Sequence, residues 1–362
     1  MLLVAKIEHK VRPLMAKILP PKIFIGLYSA LRSSVIKSFG KINFQTADGN
    51  YNETELWGLK FRNDLGNAAG LDKDGSLLDF SYKLGAGFAV VGTVLNKPHT
   101  GNLFPFFGKK FNPWVPLPGS NSAINSLGLP SKGIDITIQN ILDFKKRVTC
   151  ENFPIGISIM GHPLQQGEVK LAGIIECVEK SLPVVDFIEI NESCPNVKHT
   201  QDTSELERRL SAVIEARDKF SDRKVPILVK MGSFGNIQTT IDLLEKLNID
   251  GLIGLNTQTN YPLLSEALPV VDQKLLSYYT DNYKGGVSGP VIKDISFGQI
   301  TEAAEYVKTK QYKIKLIHVG GLENKSDITT SRDIAQLRQW YSGLMTAIST
   351  RPINKIYEEM TR

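Results

Sequence analysis

Cysteine is scarce in this chain. Three occur among 362 residues, at Cys150, Cys177 and Cys194. None forms a C-x-x-C pair, and no Cys/His cluster has metal-ligand spacing, so neither a disulfide framework nor a metal site is expected to organise the fold. The sparse, odd count suits a reducing compartment. Long hydrophobic runs are missing too. No apolar stretch reaches the roughly 18–20 residues that a membrane span needs, and Leu2–Ala5 is too short for the core of a secretory signal. The body also lacks charge of one sign. Residues 1–43 hold eight Lys/Arg against one acid, Glu8, while the rest carries thirty-five basic and thirty-six acidic side chains. That balance argues against nucleic-acid binding by the body. The basic character belongs to the N-terminal segment, where it suits an anionic surface.

What is present divides at about residue 45. Leu2–Leu19 and Lys22–Phe39 read as two helices split by Pro20-Pro21, with Pro13 kinking or shortening the first. In the second, Ile23, Leu27, Leu31 and Val35 recur every four residues. An amphipathic basic hairpin of this kind can lie in a membrane interface or cap the body's own apolar surface. Residues 46–362 read as a repeated strand–helix unit. Strands are expected at Leu65–Gly70, Phe88–Val94, Ile155–Gly161, Phe187–Ser193, Ile227–Met231, Gly251–Thr257 and Lys315–Gly321. An eighth, near Gln336–Tyr341, is weak because Arg338 and Gln339 stand where a buried strand should be apolar. Helical patterns lie between them, at Leu171–Ser181, Ser204–Phe220, Asn236–Leu247 and Ser296–Lys308. The alternation predicts an α/β fold, a (β/α)8 TIM barrel with an N-terminal helical extension. The Phe-rich insertion Leu95–Lys132 is expected to form a lid or wall over the barrel mouth. Cys150 and Cys177 read as inert.

Polar residues gather at the expected carboxyl ends of the strands, where α/β folds keep their sites. They are Lys73 after strand one, Thr93 in strand two, Ser158 in strand three, Lys230 in strand five, Asn256 and Thr257 in strand six, and Gly320-Gly321 in strand seven. Strand four ends in Asn191-Glu192-Ser193-Cys194-Pro195-Asn196, two carboxamides around a thiol. Cys194 is a candidate base, because a thiolate can take a proton from carbon. Asn125, Asn191, Asn196 and Asn256 can read a planar ring whose edge alternates C=O and N–H. Backbone N–H groups at Gly320-Gly321 and Tyr341-Ser342 can hold a phosphate. Lys230 can place positive charge beside a cofactor ring that becomes anionic on reduction.

Taken together, Gly70-Leu71-Asp72-Lys73-Asp74-Gly75, Ile124-Asn125-Ser126-Leu127-Gly128-Leu129-Pro130, Asn191 to Asn196, Val229-Lys230, Asn256-Thr257, Gly285-Gly286-Val287-Ser288-Gly289 and Tyr341-Ser342-Gly343 form a specific set. Over roughly residues 55–345 the chain resembles the dihydroorotate dehydrogenases, FMN-dependent β/α barrels of pyrimidine synthesis. The resemblance implies FMN contacts at Ala69, Gly70, Lys73, Thr93, Ser158, Asn191, Lys230, Gly286, Gly320, Gly321, Tyr341 and Ser342. It implies dihydroorotate contacts at Lys73, Asn125, Leu129, Asn191, Asn196, Asn256 and Thr257. It implies Cys194, Lys73 and Lys230 as catalytic residues, with Cys194 taking the C5 proton while the C6 hydride leaves for the flavin. Orotate would be the product and a membrane quinone the electron acceptor. Residues 1–43 would bind a membrane peripherally, on its cytoplasmic side.

The chain mixes the family's classes. The basic helical extension and Leu71-Asp72-Lys73-Asp74-Gly75 look quinone-type, whereas Asn125–Pro130, Ser158 and Cys194 look like those of soluble members. Lys109 stands where an arginine near the quinone is expected. Leu255 replaces a usual Thr. Glu192 replaces an aliphatic residue and, if buried, requires a partner. These departures keep open a soluble acceptor such as fumarate, or action on another pyrimidine or enone.

Overall fold

The structure is a computed structural model. It describes the whole chain apart from Met1, Asp48, Asn50, Cys150, residues 193–202 and Ser221. Eight parallel strands close into a barrel in sequence order: β1 (Leu65–Asp72), β2 (Ala89–Val94), β3 (Ile155–Ile159), β4 (Phe187–Asn191), β5 (Ile227–Lys230), β6 (Gly251–Gly254), β7 (Lys315–Val319) and β8 (Leu337–Trp340). Helices separate the strands, as the alternating pattern requires.

Side chains alternate across each strand, and this sorts the barrel into two cores. In β4, Ile188 and Ile190 face the surrounding helices and join the large outer core. Phe187 turns inward with Leu228, Ile253, Ile317 and Leu337. This inner cluster closes the amino end of the barrel. A short hairpin, Thr54–Leu56 with Leu59–Phe61, adds Phe61, whose ring meets Phe88 edge-on at 5.5 Å. With that end filled by hydrocarbon, the other inward positions, Glu189, Asn191, Lys230 and Gln339, can form a polar layer nearer the carboxyl end.

The eighth strand forms despite its polar residues. Arg338 is 2 % exposed and points outward. Its guanidinium donates to Asp64 at 2.6 Å and to carbonyls of Ser331 and Ala335. Arg332 reaches the same Asp64 at 2.7 Å. A buried charge is tolerable when paired and fully hydrogen-bonded, and hydrophobic periodicity alone does not reveal such a pairing.

The N-terminal segment forms α1 (Leu2–Ile18) and α2 (Pro21–Phe39). Pro13 lies inside α1 without ending it. The two helices meet the body differently. Phe24 and Ile25 of α2 are buried in a second core with Val115, Ile124 and Tyr279, and Phe39 enters the barrel's outer core. The Ser29 hydroxyl of α2 donates to the Trp114 carbonyl and accepts the Trp114 N–H, both at 3.0 Å. By contrast, α1 leaves Leu3, Val4, Ile7, Leu14 and Ile18 more than half exposed. Among the described residues no helix is long and apolar enough to cross a membrane.

The insertion between β2 and β3 is a wall in two parts. Phe104–Phe106 and Lys109–Phe111 form a hairpin against α2. Trp114–Leu117 and Ser122–Asn125 pair with Gly286–Ser288 in a three-stranded sheet beside the mouth.

Candidate active site

One cavity of about 370 Å³ begins at the carboxyl end of the barrel and runs out between α1, α2 and the helix Ser342–Thr350. It gathers nearly all the residues singled out in the sequence. Ala69, Gly70, Lys73, Thr93, Asn125, Leu129, Asn191, Lys230, Asn256, Thr257, Gly286, Gly320, Gly321, Tyr341 and Ser342 all line it. Ser158 does not. It is fully buried behind Thr93, its hydroxyl 3.0 Å from the Thr93 hydroxyl. Thr93 Oγ1 in turn accepts the Asn191 amide at 2.8 Å. Ser158 therefore sets the orientation of a lining pair instead of lining the cavity itself. Cys194 and Asn196 lie outside the described residues.

Local chemistry holds each part in place. The turn carrying Lys73 is tied by its neighbours. Asp72 accepts the backbone N–H groups of Asp74, Gly75 and Leu77, while Asp74 pairs with Lys132 at 2.5 Å. Burial, reinforced by Asp74, pushes the Asp72 carboxyl up to about 7. At Gly321 the backbone has φ of 75°, and a Cβ there would stand 2.4 Å from the Lys293 backbone. Only glycine lets the chain turn so close to its neighbour. At Gly286 a Cβ would strike the Thr257 hydroxyl at 2.0 Å, which forces these two lining segments into contact. Ser342 begins its helix, so the first N–H groups of that helix point toward the cavity end.

Beneath the mouth, Lys230 donates to Gln339 Oε1 at 3.2 Å, and Gln339 Nε2 donates to Glu189 Oε1. All three are nearly or fully buried. Burial holds the lysine below its ordinary value, and Glu189 counters this. Burial raises the Glu189 carboxyl, against the pull of Lys230 and Gln339. The second Glu189 oxygen finds no hydrogen-bond donor among the described residues. This interior acid escaped sequence analysis, although its alternation with Phe187 and Asn191 on β4 was the signal that would have turned it inward.

Glu192 is 7 % exposed in its side chain and pairs with Arg209 through two hydrogen bonds of 2.9 and 3.2 Å. It turns to a helix and does not line the cavity. Leu255 is fully buried and does line it. Lys109 is exposed on the aromatic hairpin and lines no part of the cavity. Among the described residues no group of three or more His, Cys, Asp or Glu could hold a metal.

A family model described as dihydroorotate dehydrogenase matches residues 51–360. The chain belongs to the dihydroorotate dehydrogenase family. A protein of Stenotrophomonas maltophilia named dihydroorotate dehydrogenase (quinone) is 30 % identical over 302 residues, 80 % of this chain and 78 % of that one. A Xylella fastidiosa protein of the same name is 30 % identical over 303 residues, covering 81 % and 79 %. The crystal structure of DHODH in complex with ferulenol from Eimeria tenella superposes with a TM-score of 0.76 at 20 % identity, over 91 % of this chain and 89 % of that one. At that identity the likeness concerns the fold.

The outer half of the cavity holds residues that sequence reasoning left unassigned. Leu31, Val35 and Ile36 of α2 face it, with Met345 opposite. Glu8 and Arg12 of α1 and Tyr28 of α2 form a closed polar set there. Arg12 donates twice to Glu8, at 2.8 and 2.6 Å, and the Tyr28 hydroxyl also donates to Glu8. Arg32 of α2 donates to the Tyr341 hydroxyl at 3.0 Å.

Proposed function

We propose that the chain oxidises dihydroorotate to orotate at the barrel mouth and delivers the electrons to a membrane quinone through the outer half of the same cavity. The observation that carries this is the continuity of a polar chamber at the strand ends with an apolar passage between the N-terminal helices. The family and the names of its quinone-dependent relatives supply the reaction.

The residues fit FMN. Glycine backbone at Gly320 and Gly321 and the start of the Ser342–Thr350 helix offer N–H groups suited to a phosphate. Ala69, Gly70, Thr93, Asn191, Gly286 and Tyr341 would surround the rest, with Ser158 acting through Thr93. Bound FMN supplies a two-electron carrier between the two substrates. Lys230, held by Gln339, would offset negative charge at the cofactor. Lys73, Asn125, Leu129, Asn191, Asn196, Asn256 and Thr257 would hold dihydroorotate, the carboxamides matching the donors and acceptors of its ring. Cys194 would take the proton from C5.

Residues 1–45 would form the membrane- and quinone-associated unit and residues 46–362 the catalytic barrel. The net basic charge of residues 1–43 and the exposed apolar side chains of α1 support peripheral attachment to an anionic, cytoplasmic membrane face. The apolar lining of the passage favours a quinone over a soluble acceptor such as fumarate. Leu255 at the cavity keeps one second reading in view, another pyrimidine or an enone as substrate.

Anaerobic mixing of the purified flavoprotein with dihydroorotate tests the reading through the flavin absorbance. Rapid bleaching is expected. A protein that stays yellow, with a spectrum indifferent to orotate, would remove dihydroorotate as the substrate.

A further inference from the structure

The interior of the barrel contains a charge that the proposed chemistry does not use. Glu189 lies on β4 two residues before Asn191, so its side chain points inward one layer deeper than the cavity. It is fully buried. Toward the amino end, Phe187, Leu228, Ile253, Ile317 and Leu337 exclude water. A carboxylate in such a place is costly, and a hydrocarbon side chain would fill the space without that cost.

Gln339 connects this acid to the cavity. β4 and β8 stand on opposite sides of the closed barrel, and Gln339 spans the gap. Its Nε2 donates to Glu189 Oε1 while its Oε1 accepts from Lys230 at 3.2 Å. An amide has one donor end and one acceptor end, so this double use fixes its orientation. Lys230 and Gln339 line the cavity, whereas Glu189 does not. Lys230 is itself buried, on the neighbouring strand β5, in register with Asn191. A cation at the cavity floor and an anion beneath it thus share a neutral bridge. The second Glu189 oxygen, Oε2, finds no donor among the described residues. A carboxylate kept only for structure is expected to have both oxygens satisfied. Away from water, charges act on one another with little screening. The positive charge of Lys230 therefore reaches the cavity diminished by the negative charge behind it.

We infer that Glu189 is a positioning residue for the redox chemistry: as the countercharge of Lys230, relayed through Gln339, it lowers the reduction potential of the bound flavin. This rests on the proposed function, in which a flavin occupies the cavity beside Lys230. A flavin that gains negative charge on reduction is stabilised by Lys230 and destabilised by Glu189. The consequence is one of direction. A lower potential favours passing the electrons onward to the acceptor, and a higher one favours keeping them on the cofactor.

The test measures the midpoint potential of the bound flavin in the full-length protein, by reduction in equilibrium with a reference dye and with no dihydroorotate or quinone present. Glu189→Gln keeps the shape of the side chain and an acceptor for Gln339 but removes the charge. It should raise the ratio of reduced to oxidised flavin at a given potential about tenfold, an upward shift of about 30 mV for a two-electron couple. Glu189→Leu, a second neutral variant, should move the ratio in the same direction. Glu189→Asp retains the charge and should stay closer to the parent than either. Glu192→Gln neutralises a carboxylate that pairs with Arg209 away from the cavity, and should leave the ratio within twofold of the parent. Flavin content and melting temperature report whether each variant has folded, and either neutral variant that retains flavin decides the matter. A ratio within twofold of the parent in that variant overturns the inference, as does an equal shift in Glu189→Asp. Because no substrate is present, the result stands whether or not dihydroorotate is oxidised. A purified parent without flavin would sink the cofactor reading and this inference with it.

Discussion

The two halves of the cavity handle buried polarity in opposite ways. In the barrel half, strands supply the groups, and two of them are braced by other buried side chains: Asn191 by Thr93 and Ser158, Lys230 by Gln339 and Glu189. In the outer half, helices supply mostly hydrocarbon, and the charges of Glu8 and Arg12 cancel locally. Under the proposed function the barrel half would stabilise changing charge at fixed positions, and the outer half would receive an apolar molecule. A single cavity built this way can serve two substrates of contrasting chemistry without either half compromising the other.

The sharpest way to break that contrast is to disable one half and read both. Cys194→Ala should retain FMN but slow flavin reduction by dihydroorotate by about 10²–10⁴-fold, the usual worth of a positioned base. Reoxidation of chemically reduced flavin by decylubiquinone should stay at the parental rate. Reduction by dihydroorotate at the parental rate would assign the proton to another group.

Removing the outer half should do the reverse. Deletion of residues 1–19 removes α1, which has no fully buried side chain among its described residues. Dye-linked oxidation of dihydroorotate should survive, while quinone turnover and sedimentation with anionic vesicles should be lost. Equal quinone rates in the truncated protein would detach α1 from the acceptor. Deletion through residue 43 is a poorer experiment, because it also strips Phe24, Ile25 and Phe39 from two cores.

Stability separates the two helices further. Phe24 is fully buried, so Phe24→Ala should cost about 3–5 kcal/mol. Ile7 is 53 % exposed, and Ile7→Ala should fall within about 0.5 kcal/mol of the parent. Urea unfolding of both variants checks this, and similar costs would mean that α1 is as much a part of the core as α2.

The smallest effect is the dependence of stability on pH, and its sign should differ between the halves. Asp72 in the barrel half titrates at about 7 when folded, against 3.8 for an ordinary aspartate. Its contribution is fully present below about pH 4 and is lost as pH rises through 7. Glu8 in the outer half behaves oppositely. Burial raises its carboxyl, but the hydrogen bonds and charge of Arg12, with the Tyr28 hydroxyl, bring it below its ordinary 4.5. Its contribution is present above pH 4.5 and disappears as pH falls through the lowered value. Unfolding midpoints of Asp72→Asn between pH 4 and 7, and of Glu8→Gln between pH 3 and 6, should be flatter than the parent's in those windows. Parallel profiles would show that neither carboxyl is linked to folding.

Much of this molecule was legible from pattern. Apolar runs alternating with helical periodicity determined the barrel, because a strand buried on both faces must be hydrocarbon at most positions. Polar residues at the strand ends determined the inner half of the cavity, because barrel topology brings those ends together. Cys177 read as inert, and it is buried in a helix with its thiol pushed up to about 12.

Other features depended on partners distant in sequence. Arg338 looked wrong for a strand until Asp64, 274 residues away, supplied its counter-charge. Ser158 looked like a cavity residue until Thr93 proved to stand in front of it. Glu192 required a partner that no spacing rule identified as Arg209. The two N-terminal helices have comparable basic, amphipathic sequences, and only packing decided that α2 would enter the cores while α1 stayed at the surface. The physical reason is common to the first three cases. Periodicity reports which face of an element is buried, whereas the cost of burying a charge or hydroxyl is set by the group that meets it, and closure of the barrel chooses that group.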